Sequence, residues 1–80
     1  MQNVPAYIEY ELERLRSSNM LRVPSDWPWD ESLRTLSQAA NGLFIWASTA
    51  VKFIQEEDLN RLGRLEELVS NARSLDLNHL

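Results

Sequence analysis

Apolar residues recur at helical spacing along four segments of the chain. Val4, Ile8, Leu12 and Leu15 fall at i, i+4, i+8 and i+11. On a helix these positions form one stripe, and they predict a helix over about 4–18. Asn3 suits the N-cap, and Pro5 falls in the first turn, where a missing N–H costs little. Glu11–Arg14 and Glu13–Arg16 stand at i, i+3 on the outer faces. From Ser17 to Pro28 turn formers and two prolines predict a loop.

A second stripe, Trp29, Leu33, Leu36 and Ala40, predicts a helix over about 29–41. Ser25 or Asp26 is the expected cap, and Asp30 and Glu31 lie in the first turn, where the helix dipole favours negative charge. Asn41-Gly42 reads as a helix stop, with Gly42 in the left-handed conformation. The third segment follows at once, over about 43–56. Leu43, Phe44, Ile45, Trp46, Ala47, Ala50, Val51, Phe53 and Ile54 leave it almost no polar face. A helix apolar all round is either central in a bundle or covered by something outside the chain. The acidic run Glu56-Glu57-Asp58 opposes the dipole at a helix C-terminus, so the helix should end there.

The fourth helix is expected over about 61–73, with Leu62, Leu65, Leu68, Val69 and Ala72 facing inward. Gly63 is a weak spot worth about 1 kcal/mol against Ala, tolerable in the first turn. After Ser74 a new apolar pattern begins at Leu75, Leu77 and Leu80. The expected fold is therefore all-α, a small four-helix bundle over residues 1–74, with 75–80 starting a further helix. A core of this size offsets chain entropy only narrowly, so marginal stability and leftover apolar surface are expected.

Composition narrows the chemistry. The 80 residues carry 8 Lys+Arg and 12 Asp+Glu, a net charge of −4. This balance argues against nucleic-acid binding and against docking on anionic membranes. The tight joint at Gly42 leaves a helix-turn-helix DNA binder as a weaker reading, but the following helix has Lys52 as its one cation. There is no Cys, and the one His is His79, so disulfides, thiol catalysis and Cys/His zinc sites are excluded. The N-terminus lacks the pattern of a secretory signal. The apolar run Leu43 to Ile54 is roughly 12 residues, too short for the roughly 20 that a bilayer span needs. With Gly42 and Gly63 as the only glycines, no GxxxxGK[ST] phosphate loop exists. No DxDxDG-type carboxylate spacing offers a metal site. No catalytic residue and no metal ligand is assigned, and the chain alone is not expected to be an enzyme. Trp27, Trp29 and Trp46 are the remaining handle, either as core and loop packing or as a partner-binding surface.

The run Ala40-Asn41-Gly42-Leu43-Phe44-Ile45-Trp46-Ala47-Ser48-Thr49-Ala50-Val51-Lys52-Phe53-Ile54 resembles the "GLFIWA-x-TA-x-x-FI" stretch of fungal NACHT-type STAND NTPases, the Nod-like signalling proteins. Other segments agree in order. Val4 to Leu15, with Tyr7-Ile8 and Glu11-Leu12, looks like their "DI-x-x-YI-x-x-EL" helix, with Asn3 where the family usually shows Asp. Asp26-Trp27-Pro28 looks like their "WP" entry to the second helix. Arg61-Leu62 and Leu68 look like their "RL…L" helix. Leu75-Asp76 to Leu80 looks like "LD-x-LY-x-x-IL", the opening of the next domain.

In that family this region is the helical subdomain between the nucleotide-binding domain and a winged-helix-like domain. The resemblance implies that 1–74 is that subdomain and that 75–80 begins the winged-helix-like domain. It places Gly42, Leu43 and Phe44 where the "GLPL" motif of related NB-ARC proteins lies beside bound nucleotide, with Phe44 standing where the proline would be. The implied function is a non-catalytic regulatory lid of a cytoplasmic signalling NTPase, coupling ATP/ADP state to conformational switching. ATP or ADP would be bound by the parent protein, not by this chain alone. The partners would be the adjacent nucleotide-binding and winged-helix-like domains, with an oligomer of the parent on activation, and neither nucleic acid nor membrane. The competing expectation is a stand-alone helical protein–protein interaction module that uses Trp27, Trp29 and Trp46 as anchors.

Overall fold

The computed structural model describes residues 3–77, and side chains within 3–73. Among the described residues there are four helices and no strand: α1 (Val4–Ser17), α2 (Trp29–Ala40), α3 (Phe44–Gln55) and α4 (Arg61–Leu77). The chain is thus a small all-α four-helix bundle, and the helix ends fall within a residue of the predicted ones, apart from the C-terminal end of α4. The predicted start of a further helix at Leu75 is not seen. No Gly or Pro interrupts the chain between Arg64 and Leu77, so α4 runs on through Leu77. Residues 78–80, the rest of the expected next domain, lie outside the described residues.

Local chemistry accounts for most of the ends. The Asn3 side chain accepts a hydrogen bond from the Ala6 N–H at 3.2 Å and caps α1, with Pro5 in the first turn. At the other end Asn19 takes φ +64°, the Met20 N–H donates to the Leu15 carbonyl and the Asn19 N–H donates to the Arg16 carbonyl. That pair of bonds is a Schellman closure with Asn in place of the usual Gly. It turns the chain so that Leu21 drops into the core. Neither Ser25 nor Asp26 caps α2. Pro28 holds the cap position without a side-chain bond, and the Ser32 hydroxyl reaches back to the Pro28 carbonyl at 2.8 Å.

α1 packs on α2 and α3, α4 packs on the same two, and α2 and α3 approach each other across the middle, so α1 and α4 stand diagonally apart. Val4, Ile8, Leu12 and Leu15 of α1, Leu33 and Leu36 of α2, Ile54 of α3, and Leu65 and Val69 of α4 fill one core. Ala40 and Ala47 are buried on either side of the α2–α3 turn, and their small side chains permit the close approach there. The third segment is not apolar-buried all round. Its inner stripe is Ala47, Ala50, Val51 and Ile54, while Leu43 and Ile45 face outward, 58% and 72% exposed.

Candidate functional site

The segment that sequence singled out forms the turn between α2 and α3. Asn41 and Gly42 both have positive φ, +50° and +78°, and the Leu43 N–H donates to the Ala40 carbonyl at 2.9 Å. Positive φ at both central residues is what a type I′ turn requires, and Asn-Gly is the pair that tolerates it best. The turn reverses the chain in two residues and leaves Asn41, Gly42 and Leu43 exposed.

Leu43 occupies the N-cap of α3 in an extended conformation and offers no side-chain acceptor. The Ala47 N–H bonds to the Leu43 carbonyl. The N–H groups of Phe44, Ile45 and Trp46 have no acceptor among the described residues. These are the orphan donors of a helix start, where the macrodipole is positive. The side chains beside them are apolar, Leu43 and Ile45. Phe44 is half-buried instead, its ring 4.7 Å from that of Tyr7 on α1 at a tilt of 58°. Of Gly42, Leu43 and Phe44, the first two are therefore presented outward, and the third anchors the turn to α1.

The three tryptophans do not converge. Trp27 donates from Nε1 to the buried Ser32 hydroxyl at 3.1 Å and lines a cleft with Pro28, Glu66 and Arg73. Trp29 lies under the Arg16 guanidinium, 4.2 Å from the ring centroid, a cation–π contact that closes the α1–α2 corner. Trp46 lines an open groove between α3 and α4.

One feature escaped the pattern. Acidic residues follow α3, whose last turn carries Lys52 as its one cation, and two arginines of α4 add positive charge there. Arg61 donates from Nε to the Gln55 carbonyl at 3.1 Å, and Arg64 donates from Nη1 to the Phe53 carbonyl at 2.8 Å. Arg64 also stacks 4.4 Å from the Phe53 ring centroid and lies 3.6 Å from Glu57. Cations at a helix C-terminus are favourable, and each of these also satisfies a carbonyl. The only sequence signal was an arginine pair shortly after an acidic helix end.

The Tyr7 phenol has a displaced pKa. It is raised, first by burial, then by the nearby Glu11 carboxylate, with Arg14 pulling the other way. Arg14 is itself held more firmly protonated by its hydrogen bonds to Glu11. Among the described residues no group of His, Cys, Asp or Glu is arranged to hold a metal ion. No described helix is long and apolar enough to cross a membrane.

Comparison of the chain with protein-family models, curated proteins and solved structures finds no match. The functional reading therefore rests on the residues and their geometry.

Proposed function

We propose that this chain is a non-catalytic regulatory lid of a cytoplasmic NACHT-type STAND NTPase. In this reading the N-terminal end of α3 docks on a preceding nucleotide-binding domain, which holds ATP or ADP and carries the phosphate chemistry. The observation that supports it most is the start of α3. Three unpaired N–H groups sit at the positive end of a helix, ringed by exposed Leu43 and Ile45 and presented by a rigid two-residue turn. Such a surface takes a carbonyl or phosphate oxygen at its centre and an apolar wall around it. Phe44 acts as a positioning residue: stacked on Tyr7, it carries any movement of the tip to α1. The lid switches the parent to the extent that nucleotide favours its closed state over its open one.

The test is nucleotide titration of a longer chain that includes the region upstream, with Leu43→Asp and Ile45→Asp. Both residues are exposed, so the bundle should stay folded. A roughly tenfold loss of affinity, about 1.4 kcal/mol, is expected, together with a shift toward the open state. Unchanged affinity and an unchanged closed–open balance in both variants would overturn the lid. An upstream GxxxxGK[ST] after a strand is the matching sequence expectation.

The second reading, a stand-alone interaction module, draws on Tyr10 and Leu59, 67% and 95% exposed and outside the α3 tip. Sedimentation of the 80-residue chain separates the two. Self-association abolished by Leu59→Ser favours the module, and a clean monomer counts against it.

A further inference from the structure

Asn41-Gly42 is the one place in the chain where glycine follows asparagine. The other asparagines precede Val4, Met20, Arg61, Ala72 and His79. An asparagine side chain ends in an electrophilic carbonyl carbon, and the main-chain nitrogen of the next residue can reach it to close a five-membered ring. A side chain on that next residue crowds the nitrogen, and glycine has none. Both reacting groups are free at this joint. Asn41 is exposed, and its carboxamide enters none of the side-chain hydrogen bonds of the described residues. The Gly42 N–H has no acceptor among the described residues, and no atom lies within 4 Å of a Cβ built on Gly42.

The folded turn nevertheless holds the reactants apart. Asn41 has φ +50° and ψ +43°. On an L-residue that ψ sets the Gly42 nitrogen roughly anti to Cβ about the Cα–C bond, whereas the ring needs the two nearly eclipsed. No side-chain rotation corrects this, because ψ belongs to the main chain. The Leu43 N–H bond to the Ala40 carbonyl and the Asn41 N–H bonds to the Ser37 and Gln38 carbonyls fix it. The turn must open before the ring can close. Asn19 is a comparison within the same chain. It is also exposed and left-handed, but Met20 follows it, and the Met20 N–H is tied to the Leu15 carbonyl.

We propose that Asn41 is a self-modification site, converted to aspartate and isoaspartate at a rate set by how often the α2–α3 turn opens. In the open turn the Gly42 nitrogen attacks Asn41 Cγ. The N–Cγ bond forms, the Cγ–Nδ2 bond breaks, and Nδ2 leaves as ammonia with the Gly42 amide proton. Water then opens the cyclic imide. Cleavage at Cγ gives aspartate, and cleavage at the main-chain carbonyl gives isoaspartate, with Gly42 joined through Cγ. Nothing is oxidised or reduced. Either product adds one negative charge to a chain of net charge −4. Isoaspartate also places one more carbon in the main chain, so the two-residue type I′ reversal is lost and the opening is recorded irreversibly.

The experiment incubates the 80-residue chain in mildly alkaline buffer, with and without urea above its unfolding midpoint. Tryptic peptides 35–52 and 17–22, which carry Asn41 and Asn19, are followed by chromatography and mass spectrometry. Asn41 should convert about tenfold faster or more in urea than in the native chain, because reaction there no longer waits for local opening. Aspartate and isoaspartate should appear together, and Asn19 should stay unconverted over the same period. Gly42→Ala should slow the conversion in urea, a comparison of unfolded chains that its effect on folding does not enter. A rate at Asn41 that urea does not raise overturns the proposal, since the turn would not gate the reaction. Aspartate without isoaspartate overturns it too, because direct hydrolysis would bypass the ring. Conversion of Asn19 in step with Asn41, or an unchanged rate in Gly42→Ala, does the same, as neither the glycine nor the free nitrogen would matter.

Discussion

The Arg61 guanidinium donates from Nη1 to the Met20 carbonyl at 3.1 Å, across 41 residues of sequence. The same side chain donates from Nε to the Gln55 carbonyl and lies 3.5 Å from Asp58. It thereby ties the loop after α1, the end of α3 and the start of α4 with one planar fork. An ammonium cannot span these acceptors in the same geometry. Arg61→Lys should cost about 0.5–1 kcal/mol and Arg61→Ala about 1–2 kcal/mol, because two partly buried carbonyls lose their donor. The urea midpoint should fall at unchanged slope. An unmoved midpoint for Arg61→Ala would mean that water replaces the guanidinium freely.

Gly63 and Asn60 form a coupled pair. The Asn60 side chain accepts from the Gly63 N–H at 3.0 Å and caps α4. A Cβ at Gly63 would lie 2.2 Å from Asn60 Nδ2, so alanine displaces the capping amide. Gly63→Ala alone should be near neutral, a helix-propensity gain of about 1 kcal/mol offset by loss of the cap. In an Asn60→Ala background the same change should stabilise by about 1 kcal/mol. A double-mutant cycle of thermal unfolding measures the coupling, and additivity would refute the cap.

Gly42 needs its conformation rather than its small size. No atom lies within 4 Å of a Cβ built there, but φ is +78°. Gly42→Ala should cost about 1–2 kcal/mol, the strain of a left-handed L-residue, and the β-branched Gly42→Val more. Asn41→Gly, also at positive φ, should cost less than either. Denaturant midpoints of the three variants give the order directly, and a tolerated Gly42→Val would show that the turn is not held as type I′.

The raised pKa of Tyr7 predicts an alkaline loss of stability. Its folded value lies above the unfolded value of about 10, so folding favours the neutral phenol. The contribution is complete below that unfolded value and is lost as pH rises through the folded one. Urea midpoints between about pH 8 and pH 11 should fall less steeply in Tyr7→Phe than in the parent. Identical slopes would remove Tyr7 as the cause.

The stripe of α1 was legible to the residue: Val4, Ile8, Leu12 and Leu15 are all buried. So were the inward positions Leu65, Val69 and Ala72 of α4. Leu21 was not, because it belongs to no periodic segment and reaches the core through the left-handed turn at Asn19. At the candidate site the Asn41-Gly42 helix stop was legible, but the exposure of Leu43, one of the apolar run, was not. That Phe44 turns away to stack on Tyr7 depends on where α1 lies.

The order of apolar and polar residues, read over spans of about four, determined by itself the four helices, the Asn3 cap and the Asn41-Gly42 reversal. Those features depend on bonds between near neighbours, which hold wherever the segment is placed. Only the tertiary structure decided which face of an almost wholly apolar α3 would meet the core, and that Ile45 would stay outside. It also decided that Arg61 and Arg64 would close the end of α3. A helix with apolar residues on every side carries no internal signal for its own orientation, and carbonyls find distant donors only once the helices have packed.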